Sequence, residues 1–277
     1  MIPYFVALAV IALALSVLMA GAWVAQQRTG NSGWVDTIWT FSVGLVGAGS
    51  ALWPFGDAGL NARQWLVAAL VAIWSLRLGV HIAVRTSKIS DDPRYAAFAK
   101  EWGLAAPRRM FVFLQNQALG SVPLAFAVFV AAHFPQPGLR WQDYLGALIL
   151  ALGIGGEALA DSQLKRFREN PGHQGQVCEA GLWRWSRHPN YFFEWLGWLA
   201  YPIIAISPHY ALSYPWGWAS LLAPAFMYWI LVYVTGIPPL EAQMLRSRGE
   251  RYRDYQARTS IFFPLPPRET APKGEPR

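Results

Sequence analysis

The chain has 277 residues, 54% of them hydrophobic and only 14% charged, with a mean hydropathy of +0.24. Soluble domains average about 25% charged residues, so this composition excludes an ordinary soluble domain. The formal net charge is +7, but the basic residues lie between apolar blocks, a placement that points to membrane topology rather than nucleic acid. Cys178 is the single cysteine, which excludes an intramolecular disulfide and a zinc site built from thiolates.

The apolar blocks predict an all-α polytopic membrane protein. Seven transmembrane helices are expected near residues 3–25, 34–53, 64–84, 110–134, 142–164, 191–207 and 215–235, since a bilayer is crossed by about 20 apolar residues. The first block lacks a basic leader region and is too long for a signal peptide, so it reads as a retained span. Residues 1–264 form one expected membrane domain, and the Pro-rich tail 265–277 is expected to be disordered. No dinucleotide-binding glycine motif or P-loop occurs.

Early in the second block stands Asp36, followed by Trp39. Its carboxyl reads either as a buried acid able to donate a proton or as an acid stabilised by the helix dipole. The third block carries Trp74, Arg77, His81 and Arg85 at helical spacing, so all four share one face. A cation inside a bilayer costs at least ~2.5–3.5 kcal/mol and seeks a cavity or a partner. The stripe therefore reads as phosphate donors or as a structural pair, with Arg85 also placed to snorkel. The following "SDDPRY" predicts a helix capped by Asp91 or Asp92 ahead of Pro93 and lying on the surface.

In the fourth block Gln115, Asn116 and Gln117 must face protein or a cavity. The fifth repeats the polar stripe with Glu157, Asp161, Lys165 and Arg168, acidic in the membrane and basic at its end. An intrahelical salt-bridge ladder contributes only tenths of a kcal/mol per pair, too little to justify burying Glu157. Arg187, His188, Asn190, Tyr191 and Glu194 stand at the threshold of the sixth block, and Glu241 opens an amphipathic C-terminal helix. Sorting the loops places twenty basic residues on one side and two, Arg63 and Arg140, on the other. The positive-inside rule then puts the N-terminus outside and the C-terminus in the cytoplasm.

"GLWRWSRHPNYFFEWLGW", "LRSRGERYRDYQARTSIFFP" and the upstream "WSLRLGVHIAVRTSKISDDPRYAAFAKEWG" resemble the integral-membrane steroid 5α-reductase family, in its bacterial branch. The resemblance covers most of residues 34–264. It implies an enzyme of the bacterial inner membrane that uses NADPH to reduce the C4=C5 bond of a 3-oxo-Δ4-steroid or a similar lipophilic enone drawn from the bilayer. It implies no metal and no nucleic-acid partner. Arg77, His81, Arg85, Asp161, Arg168, Asn190 and Glu194 match its cofactor-contacting positions, and Glu157, Arg187, His188, Tyr191 and Glu241 join that set as neighbours. Asp36 and Trp74 stand near the positions that contact the substrate ketone and are the expected catalytic donors. The "RHPNY" segment is shared with isoprenylcysteine carboxyl methyltransferases, which keeps an S-adenosylmethionine-dependent membrane methyltransferase open.

Overall fold

The computed structural model describes residues 2–54, 59–88 and 90–268. Residues 269–277, most of the tail expected to be disordered, lie outside the described residues. Leu265 and Arg268 are described, and their backbone N–H groups bond to Trp185 O at 3.0 Å and Arg258 O at 2.8 Å.

Among the described residues the fold is all-helical. The helices are α1 (Ile2–Thr29), α2 (Gly33–Ala51), α3 (Ala62–Thr86), α4 (Pro93–Trp102), α5 (Ala106–Ala132), α6 (Trp141–Glu169), α7 (Pro189–Trp198), α8 (Ala200–Ala205), α9 (Trp216–Ala219), α10 (Leu222–Trp229), α11 (Ile237–Arg248) and α12 (Glu250–Arg258). Strand pairing is confined to an isolated bridge between Ser186 and Ser260.

Five helical stretches, Pro3–Thr29, Ala62–Thr86, Arg94–Ala132, Trp141–Glu169 and Trp216–Arg248, are long and apolar enough to cross a membrane. The sequence reading expects seven. Its second span corresponds to α2, where Gly, Ser and Thr dilute the apolar residues. Its sixth corresponds to α7 and α8, short pieces separated at Leu199 and followed by extended backbone at Ile206. The seventh runs on past its expected end through a π-helical stretch, Ile230–Val234, into α11. Gly236 sits at this break because a Cβ there would lie 2.3 Å from Leu231 O. Pro238 and Pro239 then open the next helix, where a missing N–H is harmless.

The chain divides into two compact units. Unit 1 comprises residues 1–147 and 199–223. Its α1, α2, α3 and α5 pack against one another. Val35, Val43, Val71 and Leu114 are fully buried there, and the run Leu124–Ala132 along α5 is buried throughout. A Cβ on Gly44 would fall 2.1 Å from Ser75 Oγ, so glycine lets α3 approach α2. Ser75 uses that proximity to donate to Thr40 O at 3.0 Å.

Arg63 and Arg140, expected as outer loop charges, are buried in this unit. Arg63 Nε and Nη2 donate to the two oxygens of Asp143 at 2.9 and 3.1 Å. Its Nη1 donates to Phe134 O and Gln136 O at 3.2 and 2.6 Å. Asp143 also accepts from the Arg140 backbone N–H at 2.6 Å. A buried charge persists only when paired and hydrogen-bonded, and Arg63 meets both conditions.

Unit 2 comprises residues 148–198 and 224–277. Here α6 lies almost backbone to backbone on α7. A Cβ on Gly153 would meet Phe193 O at 2.8 Å and Gly197 Cα at 2.9 Å, and one on Gly156 would overlap the Phe193 ring. Phe192, Trp195, Tyr228, Phe262 and Phe263 form an aromatic cluster with ring centroids 5.2 to 6.3 Å apart.

Candidate functional site

Two polar clusters are built on short motifs, one in each unit. In unit 1 the motif is "DDPRY". Asp91 accepts from Ser32 N at 2.8 Å, which ties the loop to the start of α2. Asp92 caps α4 as expected, accepting from Arg94 N at 3.0 Å. The Arg94 guanidinium joins both oxygens of Asp92 at 3.0 Å and reaches Asp36 Oδ2 at 2.5 Å. Burial alone would raise the Asp92 carboxyl, but its bonds to Arg94 outweigh burial and hold it below the usual carboxylate range. Arg85 lies 3.8 Å from Asp92.

Tyr95 is the residue the sequence reading misplaced. It was expected on a surface helix and is 4% exposed. Its hydroxyl donates to Asp36 Oδ1 at 2.7 Å and accepts from Gln117 Nε2 at 3.3 Å. Both oxygens of Asp36 therefore accept hydrogen bonds. Asp36 is thus held between Arg94 and Tyr95. An acid pair, a proline, an arginine and a tyrosine in five residues was the available signal. What it lacked was a long-range partner, which only the fold supplies.

On α3 the expected stripe runs from buried to exposed. Trp74 is buried, with its ring edge-on to Trp39 at 6.4 Å. Arg77 is half-buried, and His81 and Arg85 are exposed.

In unit 2 the motif is "SRHPNY". Glu241 on α11 gathers its donors. Glu241 Oε1 accepts from Arg187 Nε at 2.6 Å and Tyr252 OH at 3.3 Å, with His188 Nε2 at 3.2 Å. Gln256 Nε2 donates to Oε2 at 2.8 Å. Arg187 Nη1 also donates to Thr259 O at 2.7 Å and Gln256 O at 3.2 Å, and Arg187 N to Ser260 O at 2.8 Å. Ser186 Oγ donates to Phe262 O at 2.8 Å. Tyr255 donates to the carbonyl of Trp183. Arg187 and His188 are buried. Burial lowers the His188 imidazole below its ordinary value, against the pull of Glu241. Burial likewise pushes the Tyr252 and Tyr255 phenols up. The expected cofactor ligands Arg187, His188 and Glu241 thus meet, and in this structure they knit the 185–188 loop to α11 and α12. Tyr252, Tyr255 and Gln256, which complete the knot, were read only as one face of an amphipathic helix.

A second polar group of unit 2 lies in the α6–α7 seam. Asn190 Nδ2 donates to Asp161 Oδ1 at 3.3 Å. Glu157 is 6% and Glu194 7% exposed, and Glu194 accepts from Trp198 Nε1 at 3.0 Å. Tyr191 stacks on the His188 ring, centroids 5.7 Å apart. Arg168 is exposed at the basic end of α6, beside the i,i+4 pair Lys165–Glu169. The close glycine contacts of α6 bring these acids and Asn190 onto facing surfaces.

A family model described as "Protein of unknown function (DUF1295)" matches residues 22–259. No curated protein and no solved structure matches the chain. With most of its length matched, the chain belongs to the DUF1295 family.

Proposed function

We propose that this chain is a membrane reductase that uses NADPH to saturate the C=C bond of a lipophilic enone, a 3-oxo-Δ4-steroid or a molecule of that kind. The observation that carries the reading is the α6–α7 seam. Asp161 and Asn190 are joined there and two further carboxyl groups, Glu157 and Glu194, are buried. Buried acids are kept only where they are hydrogen-bonded or paired, and this seam concentrates two of them with Asp161 and an amide. A nicotinamide nucleotide offers ribose hydroxyls and a carboxamide N–H2 group, donors that suit these acceptors. It also offers phosphates that suit Arg168 at the basic end of α6. When bound, NADPH supplies a hydride.

The residues of the chain bind and orient. Asp161, Asn190, Glu157 and Glu194 hold the nucleoside portion, and Arg168 holds phosphate. The Arg187–His188–Glu241 knot positions Asn190 by fixing the loop that precedes it. Hydride addition to the β-carbon of an enone leaves charge on the ketone oxygen, which a preorganised hydrogen-bond donor stabilises.

The reading extends to topology. Seven spans, with the N-terminus outside and the C-terminus in the cytoplasm of a bacterial inner membrane, agree with the loop charges. The two basic residues on the outer side, Arg63 and Arg140, are both engaged by Asp143. The opposite side then carries the exposed positive charge, as the positive-inside rule requires.

One observation favours a second reading. The His188–Glu241 contact sits in the "RHPNY" motif shared with membrane methyltransferases, for which S-adenosylmethionine would be the cofactor. Calorimetry on the purified full chain separates the two. NADPH binding that weakens in Arg168→Ala and Asp161→Asn supports the reductase. Binding of S-adenosylmethionine without NADPH supports the methyltransferase and overturns it.

A further inference from the structure

Unit 2 contains a groove of about 530 Å³ lined by Glu179, Arg184, Arg258, Thr259, Pro267 and Arg268. None of these six belongs to the sites above except Thr259, whose carbonyl is held by Arg187. The volume lies in the range of small-ligand sites, about 300–1,000 Å³.

Its charge is strongly one-sided. Arg258 is anchored by Glu179 at 3.0 Å. Among the described residues Arg184 and Arg268 make no ion pair, and both are exposed. Among the described residues the groove thus presents two guanidinium groups without an ion pair, beside a third that is held in place. Guanidinium forks match the oxygens of a phosphate.

A second, independent observation says where that phosphate comes from. The segment after Arg258 runs along residues 185–187, pairing at Ser260 and Leu265. Phe262 points inward at 1% exposure, while Ile261, Phe263 and Leu265 are 40%, 43% and 52% exposed. Leu265 N bonds to the carbonyl of Trp185, itself exposed. An apolar, tryptophan-bearing rim therefore runs beside the arginines. A free anion in water gains nothing from such a rim. A lipid gains twice, because its phosphate meets the cations and its acyl chains meet the apolar row. Tryptophan at the bilayer interface and basic pockets for headgroups are the expected signature.

We propose that this groove binds the phosphate of an anionic glycerophospholipid such as phosphatidylglycerol. It anchors the C-terminal segment of the protein at the membrane interface. The inference requires only that the chain lies in a membrane and is independent of the reductase chemistry.

The test is native mass spectrometry of the full chain in detergent, loaded with equal phosphatidylglycerol and phosphatidylcholine. The wild type retains phosphatidylglycerol preferentially. Each arginine near an anionic surface contributes about a fivefold preference, so Arg184→Gln with Arg268→Gln removes most of the selectivity. Both side chains are exposed, so the double variant keeps the wild-type melting temperature. Arg246→Gln, an exposed cation outside the groove, leaves the preference unchanged. The proposal is overturned if the double variant keeps the preference, or if Arg246→Gln abolishes it equally. It is also overturned if inorganic phosphate or adenosine 2′,5′-bisphosphate displaces the lipid through these arginines, which would mark a site for soluble phosphate.

Discussion

Arg187→Ala removes the central donor of the unit 2 knot. In the native structure this guanidinium donates to the Glu241 carboxylate at 2.6 Å and to two backbone carbonyls, Thr259 O and Gln256 O. The Arg187 side chain is 9% exposed and the Glu241 side chain 13%. Removing one partner of a buried pair costs about 3–5 kcal/mol. Three donors remain for Glu241, from His188, Tyr252 and Gln256. They offset part of the loss, while two stranded carbonyls add to it, so about 4 kcal/mol is expected. For a chain of this size that corresponds to a fall in melting temperature of about 8–16 °C. Cys178 gives a direct assay. It is the single cysteine, lies in unit 2 and is 6% exposed, so a thiol-reactive dye labels it only as the unit opens. Arg187→Lys keeps the charge but loses the fork, and recovers only part of the loss. If Arg187→Ala melts within about 2 °C of the wild type, the knot is not structural and the reasoning fails.

The glycines of α6 make a matched set. Gly156→Ala drives a methyl group into the Phe193 ring and is expected to cost about 1–3 kcal/mol, whereas Gly155→Ala meets nothing within 4 Å and is neutral or stabilising. Equal melting temperatures for the two variants would refute the seam. For His188, burial lowers the folded pKa below the ordinary 6.5, so the unfolded chain takes up the proton first. Its contribution is present above about pH 6.5 and is lost as pH falls, at up to about 1.4 kcal/mol per pH unit. A His188→Gln variant that lost stability just as steeply between pH 7 and 5 would contradict this. Tyr95→Phe deletes the hydroxyl that meets Asp36. Losing this buried hydrogen bond should cost about 1–3 kcal/mol, and an unchanged melting temperature would refute the contact.

Hydrophobic blocks made most helices legible. The fifth predicted span, 142–164, sits inside α6, and the third, 64–84, inside α3. Where helices break, the causes were local and partly visible, as with Pro238 and Pro239 after Gly236. The clusters were harder to see. Arg63 pairs with Asp143 across 80 residues, Tyr95 with Asp36 across 59 and Arg187 with Glu241 across 54. Periodicity reports which face a residue occupies on its own helix, not what meets that face. Hence Asp161 is legible in its own helical stripe and Asn190 in the "RHPNY" segment, but not their meeting, while Tyr95 reads as part of a surface helix. The same limit applies to Asp36, whose partners Arg94 and Tyr95 come from another element.

The central claim is that this chain binds a nicotinamide dinucleotide through the α6–α7 seam. Its most direct test is titration of the purified full chain with NADPH and, separately, with S-adenosylmethionine, for the wild type and Asp161→Asn. The account predicts that NADPH binds the wild type, that Asp161→Asn weakens this by tenfold or more (about 1.4 kcal/mol or greater) without lowering the melting temperature, and that S-adenosylmethionine does not bind. Binding of S-adenosylmethionine alone, or NADPH affinity untouched by Asp161→Asn, would contradict it.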